Sequence, residues 1–288
     1  MKLKHSHLLL IPAVFAVSWA AIIIRACSAP PVVIAFYRMF FSAALLAPFG
    51  FIIYRKNFRE FSKHSFLITV IAGFFLGWHF FFWITSLNYT SIASSVVLVT
   101  TQPIFVAVLA RIFLHEKIGI RGIVSITLAL IGTALIAGFD FNIGKDYFWG
   151  DILALAGAVM AGLYLFIGRV VRPKLSVYPY ILTVYGIASI TLGIIMMITG
   201  DFKIEIQSVN YGYFLLLALG PTLIGHTLYN YSLKHIKAHK VGITIVGEPV
   251  LASIWAIFIF SEYPSISTIV GGIIIIIALV LVFMEKGQ

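Results

Sequence analysis

Long apolar segments dominate this chain and restrict the folds open to it. A membrane-spanning α-helix needs about 20 mostly apolar residues. Ten stretches of roughly that length follow one another: 8–27, 32–53, 66–86, 91–114, 119–138, 148–168, 178–199, 211–233, 239–260 and 266–284. Hydrophobic residues make up 61% of the chain and charged residues 10%, whereas soluble domains are about half apolar and a quarter charged. The sequence therefore predicts an all-α polytopic membrane protein with ten transmembrane helices.

The positive charges are distributed unevenly between alternate connections of these runs. With the N-terminus placed inside, 16 of the 20 Lys and Arg residues fall in cytoplasmic segments. Arg25, Lys145 and Lys203 fall outside, and Arg38 lies within the second run. This bias predicts orientation, so we expect a multi-pass protein of the cytoplasmic (inner) membrane with both termini cytoplasmic. The net charge of +10 is then a topology signal, and the expected partner is the lipid bilayer and not nucleic acid.

The first run raises a second interpretation, a cleaved secretory signal. Arg25 stands where a cleavage site needs a small or apolar residue, and the run is longer than a usual signal core, so we expect a retained helix. Cys27 is the one cysteine in the sequence, which excludes an internal disulfide.

A shift of 146 positions aligns the second half of the sequence with the first. It makes three pairs: Gln102 with Glu248, Pro103 with Pro249, and Glu116 with Glu262. We therefore divide the chain at 1–142 and 143–288, with five runs in each part.

Because five is an odd number, the second copy must enter the membrane upside down. The loops agree with this, since "NYTSIAS" has no basic residue while its counterpart "KHIKAHK" has three lysines. Inverted repeats are typical of secondary transporters, whose site lies near the membrane midplane.

The repeated pattern also resembles a known family. Small polar residues, a [Q/E]-P pair, a helix that ends in glutamate and a glycine-containing apolar helix resemble the EamA-type domain of the drug/metabolite transporter superfamily. Trp19 and Arg38 fit the first two helices of that family, whereas Met160 stands where the second copy would carry the tryptophan. The resemblance implies a secondary transporter of small metabolites, often an exporter of amino acids or related compounds.

Glu248 is the one acidic residue predicted well inside an apolar run, nine residues from its start. A carboxylate there is costly unless it faces a cavity or a partner, and Pro249 weakens the helix beside it. Glu248 could bind substrate, carry a proton as the coupling ion, or be a protonated side chain that caps the proline break. Gln102 and Pro103 form the uncharged equivalent, so we interpret both pairs as repeated structural breaks near a gate.

Glu116 and Glu262 lie at the predicted ends of the fourth and ninth runs, on opposite membrane faces. Each could be a gate residue. The alternative is a helix-end carboxylate that interacts with the N-terminal dipole of the next helix.

Arg38 lies about six residues inside the second run. It could bind an anionic group of the substrate, such as a carboxylate. Alternatively, it could pair with Glu248 or with backbone carbonyls and hold the two lobes together.

The third and eighth runs each carry a mixed polar and aromatic face. In the third run, His79, Phe82, Trp83 and Ser86 follow the spacing i, i+3, i+4, i+7. In the eighth run, that spacing is repeated by His226, Tyr229, Asn230 and Leu233. Core packing explains most of the aromatic residues, but it explains the buried polar groups poorly.

We therefore predict a substrate site between the lobes. Trp19, His79 and Trp83 line it from one half and Tyr229 and Asn230 from the other, with charge supplied by Arg38 or Glu248. Amino acids are the first candidate substrates, and quaternary amines or other cationic solutes the second. The rival classes are an integral-membrane enzyme and a membrane sensor. We expect no catalytic residues, metal or cofactor, and either a monomer or a homodimer.

Overall fold

The computed structural model describes residues 6–115, 119–137, 145–261, 263 and 266–283. Within these ranges every regular element is helical, so the all-α prediction is confirmed. The first half contains α1 (Leu10–Ser18), α2 (Ala20–Ala26), α3 (Pro31–Ile52), α4 (Lys63–Ser86), α5 (Ile92–Val99), α6 (Gln102–Phe113) and α7 (Ile120–Ala137). The second contains α8 (Lys145–Val171), α9 (Val177–Thr199), α10 (Ser208–Leu217), a π-helix (Ala218–His226), α11 (Thr227–Ser232), α12 (Ala238–Ile245), α13 (Glu248–Phe260) and α14 (Ile266–Phe283).

Within the described residues, the predicted apolar runs occur as helical segments in the predicted order. Six of these described segments are long and apolar enough to cross a membrane: Pro31–Gly50, Lys63–Ser86, Ile92–Phe113, Asp146–Val171, Val177–Thr199 and Ser208–Ser232. Four further apolar segments of the described chain are shorter: Leu10–Ala26, Ile120–Gly132, Glu248–Phe260 and Ile269–Ala278.

Two segments are broken at equivalent positions. The fourth run is interrupted at 100–101, between α5 and α6, and the ninth at 246–247, between α12 and α13. Gln102 and Glu248 are thus the first residues of new helices, with a proline next to each. Proline suits the first turn of a helix because the N–H it lacks would have no partner within that helix. Glu248 was predicted well inside an apolar run and beside a structural break. In the structure the break lies immediately before it, and the helix restarts at this residue.

Two other segments are irregular. The first is interrupted at Trp19, between α1 and α2. The eighth passes from α10 through a π-helix into α11, with Pro221 inside the π-helical part. A proline in a helix removes one backbone hydrogen bond and crowds the preceding turn, and π-helical turns are often found at functional sites.

Helices from the two predicted halves pack closely against each other. Helix α4 lies against α8 and α9, α3 lies against α9, and α7 lies against α14. Close approach at the α4–α9 contact depends on Gly73, where an added Cβ would lie 2.8 Å from the carbonyl oxygen of Val184. The broken helices cross, so that α12 contacts α6 and α13 contacts α5. This crossing brings the two breaks to the centre of the molecule.

Candidate substrate site

A cavity of about 460 Å³ lies between helices of both predicted halves. Its charged and polar lining consists of Arg38, His79, Gln102, His226 and Glu248, and its aromatic lining of Trp83, Tyr164 and Tyr229. Small and aliphatic residues complete the wall, among them Val17 on α1, Val99 at the end of α5 and Ile245 at the end of α12. The structure therefore brings together six of the predicted site and break residues: Arg38, His79, Trp83, Gln102, Tyr229 and Glu248.

Arg38 on α3 is fully buried. Its Nε donates to Thr222 Oγ1 at 2.8 Å, and its guanidinium carbon lies 4.1 Å from the centre of the Phe80 ring. The Thr222 hydroxyl in turn donates to the carbonyl of Leu217, so the π-helix supplies the partner. Nη1 of Arg38 has no hydrogen-bond partner, which leaves it available to a bound anionic group.

Glu248, at the start of α13, is 7% exposed. In the part of the chain that the structure describes, it forms no direct ion pair with Arg38, although the two charges interact. The interpretation that Arg38 pairs directly with Glu248 is therefore not supported by the geometry. Gln102 occupies the matching place at the start of α6 and is also buried. The cavity thus contains one buried cation and one buried carboxylate that remain apart.

His79 and Trp83 form one aromatic wall of the cavity. His79 Nδ1 lies 2.9 Å from the carbonyl oxygen of Gly157; because a carbonyl only accepts, Nδ1 carries the proton and Nε2 is left as the acceptor of the neutral ring. The two rings stack with centroids 5.9 Å apart and an interplanar angle of 8°. Trp83 Nε1 is buried without a partner.

The opposite wall comes from the eighth segment. The His226 ring lies 5.4 Å from that of Phe80 and 6.3 Å from those of Tyr164 and Tyr229. His226 Nδ1 and the Tyr229 hydroxyl are both buried without partners. Polar groups buried in this way favour occupancy of the cavity by a polar solute, since each gains a hydrogen bond from it.

Asn230 does not line this cavity. Its Nδ2 donates to the Tyr164 hydroxyl and to the carbonyl of His226, so it supports the wall from behind. The sequence spacing had matched Asn230 with Trp83. In the structure Tyr229 enters the cavity with Trp83, as the 146-residue shift between the repeats requires.

Trp19 also lies outside the lining. It stacks on Trp255 with ring centroids 4.7 Å apart, and Trp255 Nε1 donates to Ser18 Oγ at 3.0 Å. This stack joins the interruption between α1 and α2 to α13.

Pro103 lies at a second, smaller cavity. This cavity measures about 240 Å³ and lies between the break at 100–101, helix α7 and Val246. Pro249 is buried next to Glu248 in α13. The two predicted gate glutamates, Glu116 and Glu262, lie outside the described residues.

Three cavity or near-cavity residues were absent from the predicted site: Tyr164, Thr222 and His226. His226 did fit the polar-aromatic spacing, and Pro221 was a signal for the distortion that presents Thr222. Tyr164 lies in an ordinary apolar stretch and carried no signal. Within the described ranges, no three His, Cys, Asp or Glu side chains come close enough together to ligate one metal ion.

Comparison with known proteins identifies the family of this chain. The sequence profile of the EamA-like transporter family matches residues 5–138 and again residues 148–284. The chain belongs to the EamA-like transporter family. The resemblance inferred from the repeated [Q/E]-P pattern is therefore confirmed.

Several characterised or named family relatives align along most of the chain. The pseudopaline exporter CntI of Pseudomonas aeruginosa is 23% identical over 287 residues, covering 99% of this chain and 98% of its own. The S-adenosylmethionine uptake transporter of Rickettsia bellii is 28% identical over 258 residues, covering 88% and 84%. A crystal structure that covers 96% of both chains superimposes with a TM-score of 0.76 at 16% identity, which supports the fold alone.

Proposed function

We propose that this EamA-like protein is a secondary transporter of small zwitterionic metabolites, with amino acids and related compounds as its substrates. The observation that carries the proposal is the central cavity, which holds buried Arg38 and buried Glu248 without a direct ion pair. A zwitterion carries both opposite charges and can interact with the two residues at once. Alternating access between two membrane-embedded halves is the usual mechanism for such a cavity.

The lining of the cavity favours an amino acid with an aromatic side chain. Ligand sites commonly have apolar walls with a few polar groups, and this cavity has both. The unpartnered Nη1 of Arg38 can donate to a substrate carboxylate, and charge-assisted hydrogen bonds of this kind are the strong ones. Trp83, Tyr164 and Tyr229 offer ring faces for the side chain.

The relatives support small-molecule transport and leave its direction open. One is named for export of pseudopaline and another for uptake of S-adenosylmethionine, a methionine derivative. We propose export across the cytoplasmic membrane, on the likeness to the exporter along nearly the whole chain.

Counterflow in proteoliposomes tests the proposal. Vesicles loaded with unlabelled L-phenylalanine should accumulate the labelled amino acid when they contain the wild-type protein. Arg38→Gln should weaken affinity roughly 10- to 100-fold, because a hydrogen bond to a charged group is worth about 1.5–3 kcal/mol. Arg25→Gln is the matched control, since Arg25 is exposed and lies outside the cavity. Equal accumulation in protein-free vesicles, or unchanged affinity in Arg38→Gln, would contradict the proposal.

A quaternary amine is the second candidate substrate. Trp83, Tyr229 and Glu248 share the cavity, and aromatic faces attract organic cations by about 0.5–2 kcal/mol. A choline-like substrate carries no carboxylate, so its binding should tolerate Arg38→Gln and depend on Trp83 and Glu248. The same variant therefore separates the two candidates.

A further inference from the structure

Each helix break contains a backbone carbonyl whose usual helical partner is a proline. In an α-helix the carbonyls of Val99 and Ile245 would accept from residues 103 and 249. Both of those residues are proline, which has no N–H. None of the turn hydrogen bonds recorded for the described residues ends on either carbonyl.

Both carbonyl-bearing residues lie at the central cavity. Val99 and Ile245 line it, as do Gln102 and Glu248, the residues that restart each helix. Helix α12 packs closely on α6, and a Cβ added to Gly242 would lie 3.2 Å from Pro103 Cα. The two breaks therefore lie side by side. We call the Val99 and Ile245 carbonyls together with the Gln102 and Glu248 side chains the acceptor cluster.

The acceptor cluster favours a cation. At each break the negative end of one half-helix and the positive end of the next come together, so these dipole effects oppose one another. The groups that remain are the Glu248 side chain and the two carbonyl oxygens, and the partial negative charges of their oxygen atoms favour a cationic hydrogen-bond donor. Arg38, which is held by Thr222 and Phe80, does not neutralise Glu248 by direct contact.

We propose that the acceptor cluster binds the primary ammonium group of the substrate and selects primary amines over quaternary amines. This rests on the proposed transport function and adds the chemical basis of substrate choice. A primary ammonium group has three N–H donors, and the cluster offers more than three acceptors. A trimethylammonium group has the same charge but no N–H donor, so it leaves the buried carbonyls unsatisfied, a mismatch that binding sites reject strongly. In an α-amino acid the ammonium group would bind here while the carboxylate binds Arg38.

The first test compares matched ligands in detergent. L-phenylalanine and 2-phenylethylamine are each measured against their N,N,N-trimethyl derivatives by isothermal titration calorimetry. The wild-type protein should bind both primary amines at least about tenfold more tightly than the trimethyl compounds, the loss expected from one missing charged hydrogen bond. The proposal would be overturned if the two members of each pair bound with equal affinity. It would also be overturned if both primary amines failed to bind.

The second test returns the missing N–H groups. Pro103→Ala and Pro249→Ala each supply a donor that can occupy the carbonyl of Val99 or Ile245. Both variants should lose most of the preference for the primary amine while keeping their affinity for the trimethyl compound. Pro48→Ala is the matched control, because Pro48 also lies inside a helix, α3, but is exposed and outside the cavity. A preference that is unchanged in both test variants would assign the breaks a purely mechanical role.

Two further outcomes separate this inference from the proposed function. If 2-phenylethylamine binds with the expected preference and L-phenylalanine does not bind, the inference holds and amino acid transport fails. If binding depends on added Na⁺ and not on the number of N–H donors, the acceptor cluster is a metal-cation site and the inference fails.

Discussion

Only part of the Arg38 guanidinium is engaged by neighbouring side chains, so it can bind a further group. Thr222 takes Nε and the Phe80 ring covers one face of the guanidinium, while Nη1 has no partner. Removing water from a guanidinium is costly, and these contacts offset part of that cost. A substrate carboxylate would supply the rest.

Thr222 should therefore act as a positioning residue for Arg38. Thr222→Val keeps the shape of the side chain but removes the hydroxyl that accepts from Nε. We expect L-phenylalanine affinity to fall several-fold, by about 1–2 kcal/mol, while Thr222→Ser stays near wild type. Affinity for 2-phenylethylamine, which has no carboxylate, should not change. A parallel loss for both ligands would mean that the substitution disturbs the π-helix generally.

Glu248 should carry the pH dependence of transport. It is the one carboxylate among the cavity-lining residues, and the ionisable groups that share the cavity with it are Arg38, His79, Tyr164, His226 and Tyr229. Glu248→Gln reproduces the chemistry of Gln102 at the equivalent position, so the helix break should persist. We expect counterflow to continue in this variant and its dependence on pH to disappear, measured in vesicles between about pH 5 and pH 8. If the pH dependence survives there and is lost in His226→Asn, the histidine is the titrating group.

At the level of single helices, the sequence predicted where the helices break but not the geometry of each break. The paired Gln102-Pro103 and Glu248-Pro249 motifs predicted where the fourth and ninth segments break, because proline has a local effect on backbone bonding. The motifs did not reveal that each helix restarts at the polar residue. That outcome depends on how the two broken helices cross, which is a tertiary contact.

The eighth segment shows a second limit of sequence reasoning. A π-helix has wider turns than an α-helix and no distinctive residue pattern, so Pro221 was its main local sign. Side-chain spacing treated the segment as a regular helix and matched Asn230 with Trp83. The structure has Tyr229 in the cavity and Asn230 behind Tyr164. Likewise, the contact of Arg38 with Thr222 joins residues 184 positions apart, which no local pattern could predict.

At the scale of the whole molecule, hydropathy was sufficient to predict the all-α membrane fold. Burial in lipid requires backbone hydrogen bonds to be satisfied within each segment, so long apolar runs form helices. The division into 1–142 and 143–288, and the inverted orientation of the second part, remain predictions of the repeat and of the charge bias.

Single-cysteine labelling tests the inverted topology. Asn88 and Lys234 occupy equivalent loops and both are exposed, so each can be replaced by cysteine in a Cys27→Ser background. We expect an impermeant maleimide to label position 88 from outside and position 234 from the cytoplasm. The Cys27→Ser background removes the one native thiol of the sequence, which is half-buried in the structure. Labelling of both positions from one side would contradict the inverted repeat.

The small cavity beside the break at 100–101 has a consequence for mechanics. Protein interiors are close-packed, so a bending helix must normally displace its neighbours. Here a small cavity adjoins the break, between Thr101, helix α7 and Val246 of the other broken helix. If the helix bends at this break during transport, we expect the cavity to lower the work of bending. The bending should then respond to hydrostatic pressure, which favours whichever conformation encloses less empty space.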